Sequence, residues 1–296
     1  MPTFFIAPAS HATTPGHDTN GTGTTLLPWL TISKAHTSAA SGDTIICKDG
    51  THTWSSQTFT KSLTIQAENT GLAIFDGAAA TISWVLVPNM VKNGLRFTNA
   101  TATSSAPLFS GGADGLYLFQ RCTFGNISIS HAVSGEGGLI GTAFSLTGNP
   151  TYRLISCLIN DITSAGQNAL FGGRTFGTTN MVITWDLQNT VIYIANTGAN
   201  RIQTLFFLAG NAGTNPTIAI IIKNSIISNA SGLTVNYRGG SGTHNTNALS
   251  NSGFFNITTV PAGTANFTTN PLFENVAGGN FNLRPTSPAQ SKGTLV

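Results

Sequence analysis

Charge is what this chain has least of. Only 8% of its 296 residues are Asp, Glu, Lys or Arg, against roughly 25% in an ordinary soluble domain. Long solvent-facing helices carry a face of such residues, so their scarcity argues against a helical protein. The 13 basic residues stand singly, and the formal net charge of +3 reflects few acids. With no basic run and no aromatic–basic stripe, a nucleic-acid partner is not expected. Cysteine is equally sparse. Three of them, an odd number in a chain this long, argue against a disulfide framework. No apolar run approaches the roughly 20 residues that cross a bilayer, so membrane insertion is not expected either. The opening "MPTFFIAPAS" lacks the basic and the full apolar regions of a secretory signal. Either a signal has been removed or the protein leaves its cell by another route.

What fills the chain instead is Thr, Ser, Asn and 33 Gly among many β-branched residues, the composition of an all-β protein with frequent turns. Six segments repeat a pattern: "NGLRFTNA", "FQRCTFGNIS", "LISCLINDIT", "LQNTVIYIAN", "IKNSIISNAS" and "LSNSGFFNIT". With Leu95, Cys122, Cys157, Thr190, Ser225 and Ser252 as anchors, the spacings are 27, 35, 33, 35 and 27 residues. Two residues after each anchor stands Phe97, Phe124, Ile159, Ile192, Ile227 or Phe254. Four after it stand Asn99, Asn126, Asp161, Ile194, Asn229 and Asn256, with Ile194 the misfit. In the four middle repeats the pairs Tyr117/Phe119, Tyr152/Leu154, Trp185/Leu187 and Ile220/Ile222 precede the anchor by five and three. Apolar residues two apart mark strands with one buried face. The three-residue step between two such pairs marks a bend.

Asn189, Asn224 and Asn251 sit at that bend, immediately before their anchors. Asn tolerates left-handed backbone, and stacked Asn side chains can hydrogen-bond, so these three are expected to form a structural ladder. A coil of short strands, about thirty residues per turn, satisfies every one of these features. Uneven spacings place insertions at one corner, as in "SISHAVSGEGGLIG" and "GGRTFGTTN".

The chain resembles the right-handed parallel β-helices of the pectin-lyase-like superfamily, including their phage spike and decoration members. The stretch from "FFIAPASHATTPGHDTN" through "PWLTISKAHTSAASGDTIICKDGTHTW" is similar to that family's opening strand, Gly/Asn-rich loop, short helix and first coil. The stretch "NPLFENVAGGNFNLRPTSPAQSKGT" is similar to its closing segment. The expected fold is therefore all-β, a single-stranded right-handed parallel β-helix (solenoid) with a short N-terminal capping helix. Its expected organisation is one continuous domain. Residues 1–40 form the first strand, loop and helix, 41–270 the coils, and 271–296 the closing segment. In "SGDTIICKDGTHT", Asp43 and Asp49 read as turn caps around the first coil's strand.

Chemistry is harder to find. Glycoside hydrolysis generally needs two carboxylates about 5 to 9.5 Å apart, and the chain has seven Asp and three Glu. Asp18, Asp43, Asp49 and Asp76 fall in turn contexts. The remaining weak catalytic candidates are Asp161 and Asp186, which occupy different repeat positions. Arg153 is the third, as the cation that a lyase would place near a Ca²⁺-bound uronate. The "NTD", "DD" and "GHG" signatures of the family's polygalacturonases are absent, as are the "WxDH" and "RxPxxR" signatures of its pectate lyases. His11, His17 and Asp18 share a polar loop without metal-ligand spacing. No metal and no cofactor is expected. Cys122 and Cys157 should stack inside as small hydrophobes. Asn-x-Ser/Thr triplets such as "NAT" and "NIS" coincide with turn positions and read as turn chemistry. Trp29, Trp54, Trp84 and Trp185 are expected in the core rather than against sugar rings.

These readings lead to a non-catalytic structural component of a bacteriophage virion: capsid decoration, spike or fibre. Its location would be the virion or the extracellular space, and a surface polysaccharide a contact. A homotrimer, or a subunit of a larger viral assembly, is expected because β-helical spikes associate along a coil face. The alternatives are a polysaccharide lyase or hydrolase of the same fold, and a bacterial surface adhesin or filament subunit.

Overall fold

The computed structural model of the chain describes residues 1–102, 107–130, 138–142, 148–164, 167–175, 181–194, 201–210, 217–229, 235–240, 243–290 and 292. Within them the chain winds as a right-handed parallel β-helix. The first sheet has nine strands, from Thr3–Ile6 through Thr44–Cys47 to Thr243–Ser250. The second runs from Gly50–Thr53 to Gly253–Phe255, and the third from Gln57–Thr58 to Ile257–Thr258. Thr3–Ile6 stands ahead of the first coil, and each coil after it places one strand along each of the three sheets. Eight coils at about 4.8 Å per coil make a rod of about 40 Å. Parts of both predicted insertions, residues 131–137 and 176–180, lie outside the described residues.

The repeat pattern explains the winding. On the strand Gly115–Gln120, Tyr117 and Phe119 point inward, and after the three-residue step Cys122 and Phe124 do the same. The step is possible because one residue per coil turns left-handed. Arg121, Ser156, Asn189, Asn224 and Asn251 have φ of 52°, 54°, 49°, 48° and 50°. Their N–H groups cross to the next turn of chain: Asn189 to the Lys223 carbonyl at 3.0 Å, Asn224 to Ser250 at 3.2 Å, Asn251 to Thr264 at 2.9 Å. A further bend recurs five residues on, at Asn99, Asn126, Asp161 and Asn256, with φ of 54°, 51°, 53° and 54°. Asn is the residue that adopts this conformation at least cost after Gly.

The anchors form an interior polar file. The Thr190 hydroxyl donates to the Gln188 carbonyl (3.0 Å) and across to Leu154 (3.3 Å). Ser225 donates to Lys223 (2.8 Å), and Ser252 to Ser250 (2.8 Å). Each oxygen also accepts the N–H of the preceding anchor: Cys157 to Thr190 at 3.4 Å, Thr190 to Ser225 at 3.1 Å, Ser225 to Ser252 at 3.2 Å. Cys122 and Cys157 continue the file with thiols buried against the Gln120 and Ile155 carbonyls. A corner that would leave buried N–H groups unpaired is thereby satisfied.

Parallel register puts like residues on top of one another. Phe75, Phe97 and Phe124 stack at 5.7 and 5.4 Å, Tyr117, Tyr152 and Trp185 at 5.1 and 4.6 Å, and Phe171 and Phe206 at 5.2 Å. Such pairs add about 0.5–1.5 kcal/mol each beyond their burial. The tryptophans Trp29, Trp54, Trp84 and Trp185 are all buried, as expected.

The ends are closed. The helix Ile32–Ser38 is capped by Thr31, whose Oγ1 accepts the Lys34 N–H. Asp18 holds that cap through the Leu30 and Thr31 N–H groups and the Thr31 hydroxyl, so it belongs to the turn and not to a histidine site. Asp43 caps the Ala40 N–H at 2.8 Å. Asp49 instead accepts the Asn69 side-chain amide at 2.9 Å, tying two coils together where a backbone cap was expected. At the other end, bridges from Ser250 to Thr264 and from Gly253 to Phe267 cover the last coil's edge.

One interior residue contradicts its surroundings. Lys92 points into the solenoid between Ile65 and Phe119 of the neighbouring coils. Among the described residues its Nζ has no hydrogen-bond partner, and it lies 4.8 Å from the Phe119 ring centroid. Desolvation pulls its pKa down to about 7, with the nearby Cys122 opposing the shift.

Candidate functional site

Two of the sequence candidates come together. Arg153 and Asp186 are register partners on adjacent strands of the first sheet. The Arg153 Nε donates to Asp186 Oδ2 at 2.7 Å. Gln188 Nε2 donates to both oxygens of the same carboxylate, at 3.0 and 3.2 Å. Asp186 is only 2% exposed although it faces outward. A carboxylate clasped by a guanidinium and an amide is a strut between two coils. The sequence held a signal for this pair, since Arg153 and Asp186 each stand four residues before their anchors, Cys157 and Thr190.

Asp161 lies elsewhere, at the outer bend beside the second sheet. Strand alternation sends Ile159, Ile192 and Ile194 inward and leaves Asn160 and Tyr193 outside. Tyr193 aligns with Ser228 and Phe255 of the next two coils. Over this row folds the closing segment as an antiparallel hairpin, Phe273–Asn275 with Asn280–Leu283. The Tyr193 ring meets Phe273 at 6.1 Å and Phe281 at 5.4 Å. Arg284 fixes the hairpin by donating to the Phe273 and Glu274 carbonyls at 3.1 and 3.4 Å, and Asn280 donates to the Glu274 carboxylate at 2.9 Å.

The hairpin leaves a cleft on each side of Tyr193. The larger lobe, about 530 Å³, is lined by Asn160, Asp161, Tyr193, Val276, Gly279 and Phe281. The smaller, about 260 Å³, is lined by Tyr193, Ser228, Phe255, Asn270, Phe273 and Arg284. Burial raises the Tyr193 pKa, so the phenol is protonated at neutral pH and has a hydrogen to donate. Among the described residues the Asp161 carboxylate has no hydrogen-bond or ion-pair partner. Two rings, an amide, a phenol and one unpaired carboxylate in a concave site are the materials of small-ligand recognition. Sequence reasoning missed Tyr193 and Phe281, because outward residues carry no periodic signal and their partner is distant in the chain.

No family model matches this chain, and no curated protein matches it. Among solved structures it is similar to a rhamnogalacturonan lyase at 14% identity, covering 86% of this chain and 74% of that one, with a TM-score of 0.42. It is also similar to a mannuronic acid specific polysaccharide family 6 lyase from human gut microbiota, at 13% identity over 90% of this chain and 66% of that one, TM-score 0.43. A pectate lyase is similar at 13% identity over 97% of this chain and 90% of that one, TM-score 0.37. The likeness is one of fold.

Proposed function

We propose that this protein is a non-catalytic structural rod that contacts a glycan through the cleft beside Tyr193. The larger biological setting we propose is an extracellular assembly of the bacteriophage-virion kind, as capsid decoration, spike or fibre. The observation that carries the glycan reading is the cleft itself. Tyr193 and Phe281 offer ring faces for a sugar's C–H face, and Asn160 and the protonated Tyr193 hydroxyl are placed for its hydroxyls. The clasped state of Asp186 supports a binding role, since its carboxylate is taken up by Arg153 and Gln188. A low-charge rigid solenoid suits a particle surface, which supports the assembly reading.

The test is a glycan array followed by titration of the best binders. The reading expects binding that Tyr193→Ala weakens by about 1–2 kcal/mol, and no unsaturated or reducing ends from uronate polymers or host surface glycans. Turnover abolished by Arg153→Ala or Asp161→Asn would overturn it in favour of a polysaccharide lyase or hydrolase.

A further inference from the structure

The backbone at Asp161 does not call for a carboxylate. The same left-handed bend, with φ between 51° and 54°, is held by Asn99, Asn126 and Asn256 in other coils. At two of these three bends the amide ties the coils together: Asn99 Nδ2 donates to Asp76 Oδ1 at 3.0 Å, and Asn256 Nδ2 to the Asn229 carbonyl at 3.0 Å. A carboxylate has no proton for such a bond. At Asp161 the chain gives up that tie and gains an unpaired negative charge, and this occurs at the bend that lines the larger lobe of the cleft. Asp161 is the only charged side chain among that lobe's lining residues. The nearest lobe's cation, Arg284, is committed to two carbonyls of the hairpin.

We infer that the larger lobe recognises an ammonium group carried by an amino sugar with a free amine, which pairs with Asp161 while its ring packs on Tyr193 and Phe281. This rests on the reading of the cleft as a glycan site. Aromatic faces beside a carboxylate form a setting in which a cation is held by the ring quadrupoles as well as by the opposite charge. A uronate would bring a second carboxylate beside Asp161 with no cation to separate them, so polyuronates are disfavoured. The lobe's volume of about 530 Å³ fits a ring-sized ligand better than a bare alkylammonium. The adjoining lobe past Tyr193 gives room for a neighbouring sugar of the same polymer. An amino-sugar polymer is therefore favoured over a lysine side chain of a protein partner.

The experiment titrates the full chain and its Asp161→Asn variant with glucosamine oligosaccharides, their N-acetylated counterparts, oligogalacturonate and oligolysine. The substitution installs the residue that other coils already use at this bend, so the variant is expected to fold normally. The free-amine oligosaccharide should bind, and N-acetylation should weaken it by about tenfold or more, the worth of one charge-assisted hydrogen bond. Asp161→Asn should erase that difference, and oligogalacturonate should not bind. If charged, acetylated and acidic sugars all bind alike and Tyr193→Ala abolishes them together, the ammonium inference falls while the glycan reading stands. If no saccharide binds the wild type, both fall. Oligolysine binding that depends on Asp161, with no sugar bound, would overturn the amino sugar in favour of a protein partner.

Discussion

Replacing Lys92 by Met should make the protein markedly more stable, and by an amount that depends on pH. The ammonium at this position would sit in the solenoid interior, fully buried and without a hydrogen-bond acceptor. The pKa falls from 10.5 to about 7. At 1.36 kcal/mol per pH unit, the cost of keeping the folded-state group charged is about 5 kcal/mol. The sign follows from proton binding. Below about pH 7 both states hold the proton and the native state carries the full cost. Between about 7 and 10.5 the unfolded chain holds a proton that the native state has released, so wild-type stability rises with pH. Above 10.5 the contribution is constant. Met matches the length of the lysine stem and fills the space between Ile65 and Phe119 without a charge. Urea unfolding at about pH 6 should therefore show Lys92→Met more stable by about 3–5 kcal/mol, with most of the gain gone by about pH 10. Equal midpoints at low pH, or a difference independent of pH, would show that Lys92 carries no buried-charge cost.

Thr190→Val keeps the shape of the side chain and removes the hydroxyl that joins Leu154, Gln188 and the Cys157 N–H. It should cost about 1–3 kcal/mol in urea unfolding, the penalty for leaving buried groups unpaired. Asn224→Leu forces a branched side chain into a left-handed bend at φ 48°. A loss of about 1–2 kcal/mol is expected in thermal melting, with glycan binding unchanged. Light scattering should give a homotrimer, and a stable 30.7 kDa monomer at micromolar concentration would leave only attachment to a separate partner.

The interior was legible in the sequence because it repeats. Residues at the anchors and two after them enter the core in coil after coil, and each packs on its own counterpart. Spacing alone therefore located the coils, the corners at Asn189, Asn224 and Asn251, and the buried position of Trp185. Lys92 was readable too, since it stands two residues after Met90 in the inward phase, yet a lysine is expected to escape such a position. The outer surface repeats nothing. Tyr193 gains its role only when Phe273 and Phe281, some eighty residues later, fold back across the second sheet. No local pattern encodes that contact. Asp161 was visible as a departure from the turn Asn, but its meaning depends on the cleft that the hairpin builds beside it.

A crystal structure of the protein with a bound glycan from the array would show directly whether the cleft beside Tyr193 holds a sugar. Sugar density is expected in the larger lobe, against the Tyr193 and Phe281 rings and within hydrogen-bond reach of Asn160 and Asp161. Density confined to the first sheet over Arg153 and Asp186, with the lobe empty, would contradict the glycan reading of the cleft.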